Sequence, residues 1–365
     1  MKVVVNARLL MKPYTGIGQF TRGIFSAIGK LGGDIEYVLL VPEEVDFKGS
    51  GKVRVEVLKE RAKGTSGMKK TWWEQIQVPE YAKKCGADVL VCTYPCNPWS
   101  GDFYKSGIES VVVVHDCIPW KDKAYRRGLM SRMYHAQTKR AVRRAGQVVS
   151  VSEYSKSEIE KVCKVESSRI SVIYNDVGEA YKRSYSDKEV EMVCKRFGIE
   201  NGKYLLYVGG YDKRKNVGRL VELFGDSSFG DEVKLVLAGG QLFKGRLYDD
   251  FDKTSDRVVK TGFLDDEDLA KLYTGSKFFI NLSKDEGFNI PALEAISCKA
   301  DLVLSKMDVH EELFSEAAVM IDPDQNIDLA EINHTTTFSR EKFLARFDWD
   351  KSARKMEKII LEYRK

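Results

Sequence analysis

Ser283-Lys-Asp-Glu-Gly-Phe-Asn-Ile-Pro-Ala-Leu-Glu-Ala-Ile-Ser-Cys298 is the stretch whose reading decides the fold. It follows an apolar run, Lys277-Phe-Phe-Ile-Asn-Leu282, that reads as a buried strand ending at a polar turn. Gly287 has no Cβ, so the backbone there can turn tightly and come close to a ligand. Pro291 suits the first turn of a helix, where a missing N–H costs nothing, and Asn289 is the expected N-cap. Glu286 then sits in the loop and Glu294 on the first helical turn. Both carboxylates are expected to face the crevice at the strand's carboxyl end, beside a helix N-terminus that attracts anions. Carboxylates cannot bind phosphate, but they hold hydroxyls: one on a ribose, one on a transferred sugar. The stretch outlines a nucleotide-sugar site.

Working outward, 365 residues are long for one domain and comfortable for two. An apolar content of 43% with 31% charged residues describes a soluble globular chain. No run approaches the roughly 18 apolar residues of a membrane span. Met1-Lys-Val-Val-Val-Asn6 is too short an apolar run for a signal peptide and reads as a first strand. Seven cysteines without a repeated spacing point to reduced thiols in a cytosol-like compartment. No paired Cys or His set follows Cys92 and Cys96, so neither a metal nor a cofactor is expected. The net charge of +5 is modest, and its local clustering matters more. No zinc finger, RNP-like aromatic sheet or helix-turn-helix pattern points to nucleic acid.

Along the chain, short β-branched runs alternate with helical patterns twice over, which predicts two doubly wound α/β domains. Val3–Val5 leads through Gly16-x-Gly18 into a helical pattern, an arrangement in which backbone N–H groups can grip a diphosphate. The third glycine of a dinucleotide fingerprint is missing, which weighs against a nicotinamide-dependent oxidoreductase. Gly64–Lys70 reads as a polar, glycine-rich loop before a helix Trp72–Lys84. Thr93–Trp99 reads as a proline-marked loop with aromatic residues, a candidate acceptor-side wall. Ser110–Val114 is the kind of strand buried on both faces, and it ends in His115-Asp116. From Arg126 to Ala145 a basic helix is expected, with Leu129, Met133, Tyr134, Ala141, Val142 and Ala145 on its packed apolar side. A solvated face, an anionic membrane surface or a phosphorylated acceptor would each suit that charge. In the second half, Gly209-Gly-Tyr-Asp-Lys-Arg-Lys-Asn216 opens onto a helix, with Arg214 and Lys215 suited to a diphosphate.

Glu-x₇-Glu inside Glu-Gly-Phe-x-x-Pro-x-Leu-Glu-Ala resembles the donor-site motif of the retaining, family-4-type glycosyltransferases of the GT-B fold, glycosyl transferases group 1. The Gly209–Asn216 loop resembles the family's Gly-x-x-x-Pro-Arg-Lys-Asn segment, with Lys213 for proline and Gly210 where many members have arginine. The resemblance implies two Rossmann-like domains facing a cleft. They are an acceptor domain, 1–180, completed by a returning helix at 348–365, and a nucleotide-sugar domain, 181–347. It also implies a metal-independent retaining enzyme that moves a hexose from GDP-mannose or a UDP-sugar to a hydroxyl of a glycan or lipid-linked acceptor. In that scheme Glu286 holds the sugar, Glu294 the ribose, and Arg214 and Lys215 the diphosphate. His115 orients the sugar, Gly16 and Gly18 help bind phosphate, and Phe263 and Leu264 meet the base through backbone. Gly210, Gly287, Phe288, Asn289 and Ile290 complete the donor site. Localisation is expected to be cytoplasmic, with possible peripheral contact with an anionic membrane. A GT-B-shaped epimerase or a non-catalytic nucleotide-sugar-binding protein would share the architecture.

Overall fold

β1 (Lys2–Asn6), β2 (Glu36–Val41), β3 (Val53–Val57), β4 (Val89–Cys92), β5 (Glu109–Val114), β6 (Gln147–Ser150) and β7 (Ile170–Val172) form one sheet in the computed structural model. The structure describes residues 1–240, 255–333 and 335–363. The strands are parallel, in the order β3-β2-β1-β4-β5-β6-β7. Their Val-rich runs are buried along nearly their whole length, as a parallel sheet covered on both faces requires. A second parallel sheet contains β8 (Tyr204–Gly210), β9 (Lys234–Gly240), β10 (Val258–Gly262), β11 (Phe278–Asn281), β12 (Leu302–Ser305) and β13 (Ala318–Ile321). Its order is β10-β9-β8-β11-β12-β13.

The chain divides into two compact units, Met1–Asp176 with Phe347–Lys365, and Val177–Arg346. The divisions fall slightly before the 180/181 and 347/348 boundaries read from the sequence. Each sheet begins at a central strand, grows to one edge, then jumps back to grow the other way. The switch points lie between β1 and β4 and between β8 and β11. Connections leave in opposite directions there, opening a crevice at the strands' carboxyl ends where α/β proteins bind ligands.

The last helix, Trp349–Leu361, belongs to the first unit. It packs on helix Gly16–Lys30, where Gly23 lies so close that a Cβ would collide with the Trp349 ring. Lys52 Nζ meets Glu357 Oε1 at 2.5 Å, and Ser352 Oγ donates to the Tyr174 carbonyl at 2.8 Å.

Two segments depart from the sequence reading. Gly64–Lys70 is not a loop throughout: helix Ser66–Trp72 starts there, its N-terminus closed by Thr65, whose hydroxyl accepts from the Met68 N–H. A π-turn, Trp73–Gln77, joins it to helix Val78–Lys84. The cap residue Thr65 was the overlooked signal. The basic helix is shorter than expected, Leu129–Arg144, because Gly128 (φ 82°) breaks the chain before it. Its first turn does not pack on the sheet: Leu129, Met130 and Met133 are 73%, 77% and 52% exposed.

Candidate active site

The second unit's switch point carries a buried cluster of charge. β8 ends at Gly209-Gly210, where Gly209 takes φ 149° and a Cβ on neighbouring Gly239 would collide with the Gly209 carbonyl. The strand then gives way to Tyr211–Lys215, and Asn216 turns in the left-handed region (φ 57°) to open helix Val217–Asp226. β11 ends in the Leu282–Asn289 loop. The two loops are tied together, since the Lys284 N–H donates to the Arg214 carbonyl at 2.7 Å.

Between them Glu286 is buried, 6% exposed, and each of its two oxygens has a partner. Oε1 accepts from Lys215 Nζ at 2.5 Å and from Ser283 Oγ at 2.7 Å, and Oε2 accepts from the Arg214 guanidinium at 3.0 Å. Arg214 also donates to the Asp285 carbonyl at 3.0 Å. Burial alone would push the Glu286 carboxyl up, but the charges of Lys215 and Arg214 and their hydrogen bonds outweigh it and hold it at about 2. Burial pushes the Lys215 ammonium down from the usual lysine range, against the attraction of Glu286. The structure therefore brings Arg214, Lys215 and Glu286 together as one buried network. Gly210 closes β8, Gly287 and Phe288 lie in the same loop as Glu286, and Ile290 opens the helix after β11.

That helix, Ile290–Ser297, starts differently from the expectation. Asn289 stands at the N-cap position in the left-handed region (φ 77°), but its side chain makes no cap bond. It donates instead from Nδ2 to His310 Nε2 at 2.9 Å, while His310 Nδ1 donates to the Ser305 carbonyl at 2.8 Å. His310 is wholly buried, and burial lowers its pKa to about 4, so the ring is neutral at pH 7. Ser305 Oγ donates to the Ser283 carbonyl at 2.5 Å, linking this network to the loop that carries Glu286.

Glu294 lies on the second helical turn, not the first, and is buried. Its Oε2 accepts from the Tyr273 hydroxyl at 3.0 Å, and Tyr273 packs edge-on against Tyr181. Glu286 and Glu294 thus occupy different surroundings, one cationic and one phenolic. Phe263, just beyond β10, is 58% exposed, and Leu264 follows it half-buried.

In the first unit His115 follows β5, and its Nε2 donates to the Thr93 carbonyl at 2.9 Å, leaving Nδ1 as the acceptor. Burial lowers its pKa to about 4. Gly16 opens helix Gly16–Lys30, but the Gly18 N–H is already donated to Thr15 Oγ1 at 3.1 Å. Gly18 is required for packing, since a Cβ there would collide with the Lys12 carbonyl. Sequence reasoning did not find Ser283, Ser305, His310 or Tyr273, because single polar residues on apolar elements carry no spacing signal. No described helix is long and apolar enough to cross a membrane.

Residues 14–177 match the model of Glycosyltransferase Family 4, and residues 194–356 that of Glycosyl transferases group 1. O-antigen chain mannosyltransferase B of Escherichia coli is 27% identical over 185 residues, 48% of this chain and 48% of that protein. O-antigen chain mannosyltransferase RfbU of Salmonella typhimurium is 26% identical over 189 residues, 51% of this chain and 49% of its own. The chain spans about half the length of these curated relatives. Among solved structures, sucrose-phosphate synthase from Thermosynechococcus elongatus superposes with a TM-score of 0.75 at 17% identity, covering 99% of this chain and 98% of that one. Anabaena HepE in complex with UDP-glucose gives 0.74 at 15% identity, covering 99% and 100%. These likenesses establish the fold, and the two family models between them take in both parallel-sheet units. The chain belongs to the group 1 glycosyltransferases of GT-B fold.

Proposed function

We propose that this protein transfers a hexosyl group, mannosyl by the names of its curated relatives, from a nucleoside-diphosphate sugar to a hydroxyl of a glycan or lipid-linked acceptor. The observation that carries this reading is the buried Arg214–Lys215–Glu286 network at the β8/β11 switch point. Two cations beside a helix start suit a diphosphate, whose negative charge grows as the bond to the sugar breaks. Glu286 holds both cations in place before the donor arrives, and Oε2, which accepts from Arg214 alone, keeps a lone pair for a sugar hydroxyl. Glu294, ringed by Tyr273 and Tyr181, is assigned to the ribose, and the exposed Phe263 to the base.

Transfer with retention belongs to the same proposal. The C1–O bond to phosphate breaks, the acceptor oxygen bonds C1 on the same face, and the acceptor proton passes to the leaving phosphate oxygen. His115, neutral and with Nδ1 as its acceptor, is assigned to a sugar hydroxyl. Donor charge is met by Arg214 and Lys215, so transfer survives a chelator.

A donor screen with GDP-mannose, UDP-glucose and UDP-galactose, read by nucleoside diphosphate release and by the anomeric configuration of the product, tests the reading. Lys215→Ala is expected to weaken nucleoside diphosphate while leaving the free nucleoside unaffected. A parent protein that releases diphosphate from none of these donors would overturn the transferase reading. The exposed Leu129, Met130 and Met133, flanked by Arg127 and Arg132, support a further part of the proposal, peripheral contact with an anionic membrane.

A further inference from the structure

The first unit has its own switch point, between β1 and β4, and a second charged cluster stands there. Past β1, the Arg8 guanidinium lies over the Trp73 ring, 5.5 Å from its centroid. Past β4, the Tyr94 hydroxyl donates to Glu74 Oε1 in a short hydrogen bond. Glu74 belongs to the π-turn Trp73–Gln77, a distortion often found at functional sites. The next residue, Gln75, pins the loop after β4, accepting from the Trp99 N–H at 2.9 Å and donating to the Cys96 carbonyl at 3.2 Å.

Two features of this cluster are unlike the network around Glu286. The Glu74 side chain is wholly buried, yet its Oε2 has no hydrogen-bond partner among the described residues. The buried indole Nε1 of Trp99 likewise has none. Lys70 Nζ stands 3.7 Å from Glu74 Oε1 and lies over two rings, 5.4 Å from the Tyr94 centroid and 5.7 Å from that of Tyr134. Trp99 meets Tyr134 edge-on at 5.8 Å. Lys70 is 38% exposed at its side chain, so the cluster reaches solvent past a long, movable lysine. A buried carboxylate oxygen without a donor costs free energy that a bound hydroxyl would recover.

We propose that Lys70, Glu74, Tyr94, Trp99 and Tyr134 form a saccharide subsite of the first unit that takes the acceptor sugar. The assignment rests on the transferase reading above. A sugar hydroxyl donates to Glu74 Oε2 and its neighbour accepts from Lys70 or the Trp99 indole, while the apolar face of the ring lies on Tyr134. An anionic group is repelled by Glu74, and a hydrocarbon chain would leave both buried polar atoms without partners. Vicinal hydroxyls on a ring satisfy every group at once.

Saturation-transfer NMR on the full chain, with methyl α-D-mannopyranoside as probe, tests the subsite. GDP is titrated in the same samples by tryptophan fluorescence. The parent is expected to saturate the glycoside with or without GDP, and inorganic phosphate should leave that signal unchanged. Glu74→Gln and Tyr134→Leu should each weaken the glycoside by about tenfold, as loss of one charged hydrogen bond or one ring contact predicts, with GDP affinity unchanged. No signal in the parent, or parental binding in both folded variants, overturns the subsite. Should Glu74→Gln fail to fold, the partly exposed Tyr134→Leu decides alone. Failure of the parent to bind GDP sinks the donor-site reading instead, and the glycoside result stands apart from it.

Discussion

The two switch points are built on the same topology and handle buried charge in opposite ways. At β8/β11, Glu286 meets two cations and a hydroxyl, and neither of its oxygens is left over. At β1/β4, Glu74 meets one tyrosine and one half-exposed lysine, and one oxygen is left over. A saturated network is prearranged and holds its groups rigidly. An unsaturated one keeps binding capacity in reserve. The first arrangement suits a site that must stabilise charge developing in a transition state. The second suits a site that must admit a neutral ligand and release it.

Removing one carboxylate from each network gives the largest contrast. Glu286→Gln strands Lys215 and Arg214 as buried, unneutralised cations, and breaking such a pair costs about 3–5 kcal/mol. Glu74→Gln strands only Lys70, which solvent reaches, and relieves a carboxylate that burial already pushes up in pKa. Its cost should be within about 1 kcal/mol. Denaturant midpoints for the two variants check this. Equal losses would mean that the two networks do not differ as described. Lys215→Met combined with Glu286→Gln should restore part of the loss, because the pair is then removed as a unit.

Acid titration separates the units by a smaller effect. His115 and His310 both have folded pKa values of about 4, below the usual 6.5, so the unfolded chain takes up their protons first as pH falls. Stability from each is present above pH 6.5 and is lost between 6.5 and 4, on the order of 3 kcal/mol at most for the fully buried His310. Glu286, held at about 2, adds a second loss as pH falls from about 4.5 towards 2. His310→Gln should remove its share of the first limb, leaving that of His115, and leave the second. Unfolding midpoints at several pH values from 7 to 3 measure both limbs. A parental first limb in His310→Gln would assign it to His115.

What the sequence disclosed follows the same division between pattern and partner. Val3–Val5 and Ser110–Val114 declared buried parallel strands because β-branched runs have few other homes, and Gly209-Gly210 marked a strand end. The residues that gather around Glu286 were named in part, since Arg214 and Lys215 precede a helix start. That they would bind Glu286 itself was not legible, because nothing in spacing says which loops meet. Asn289 looked like an ordinary helix cap until His310, 21 residues on, took its amide. Glu74 lies within what reads as an uninterrupted helix, and only the π-turn and the loop after β4 expose its carboxylate as half satisfied.

The smallest effect concerns the surface, where the units differ again. Of the exposed large apolar residues, Met68, Trp72, Leu129, Met130 and Met133 all belong to the first unit, while the second contributes only Met192 and Phe263 among the described residues. Arg143 and Arg144 are exposed, but their guanidinium groups are tied to the Cys163 and Trp99 carbonyls at 2.6 and 3.1 Å. Arg127 and Arg132, exposed beside the apolar turn, are the better candidates for meeting anionic lipid. Each cation near such a surface contributes on the order of 1 kcal/mol, screened within a Debye length. Reversing Arg127 and Arg132 to Glu should therefore weaken co-sedimentation with phosphatidylglycerol vesicles strongly at low salt and hardly at high salt. Leu129→Ser with Met130→Ser should weaken it by a similar factor at both, because apolar burial is not screened. Equal behaviour of the serine variant and the parent would reduce the contact to charge alone. Equal behaviour of all three would remove the membrane from the proposal and leave the acceptor a soluble glycan.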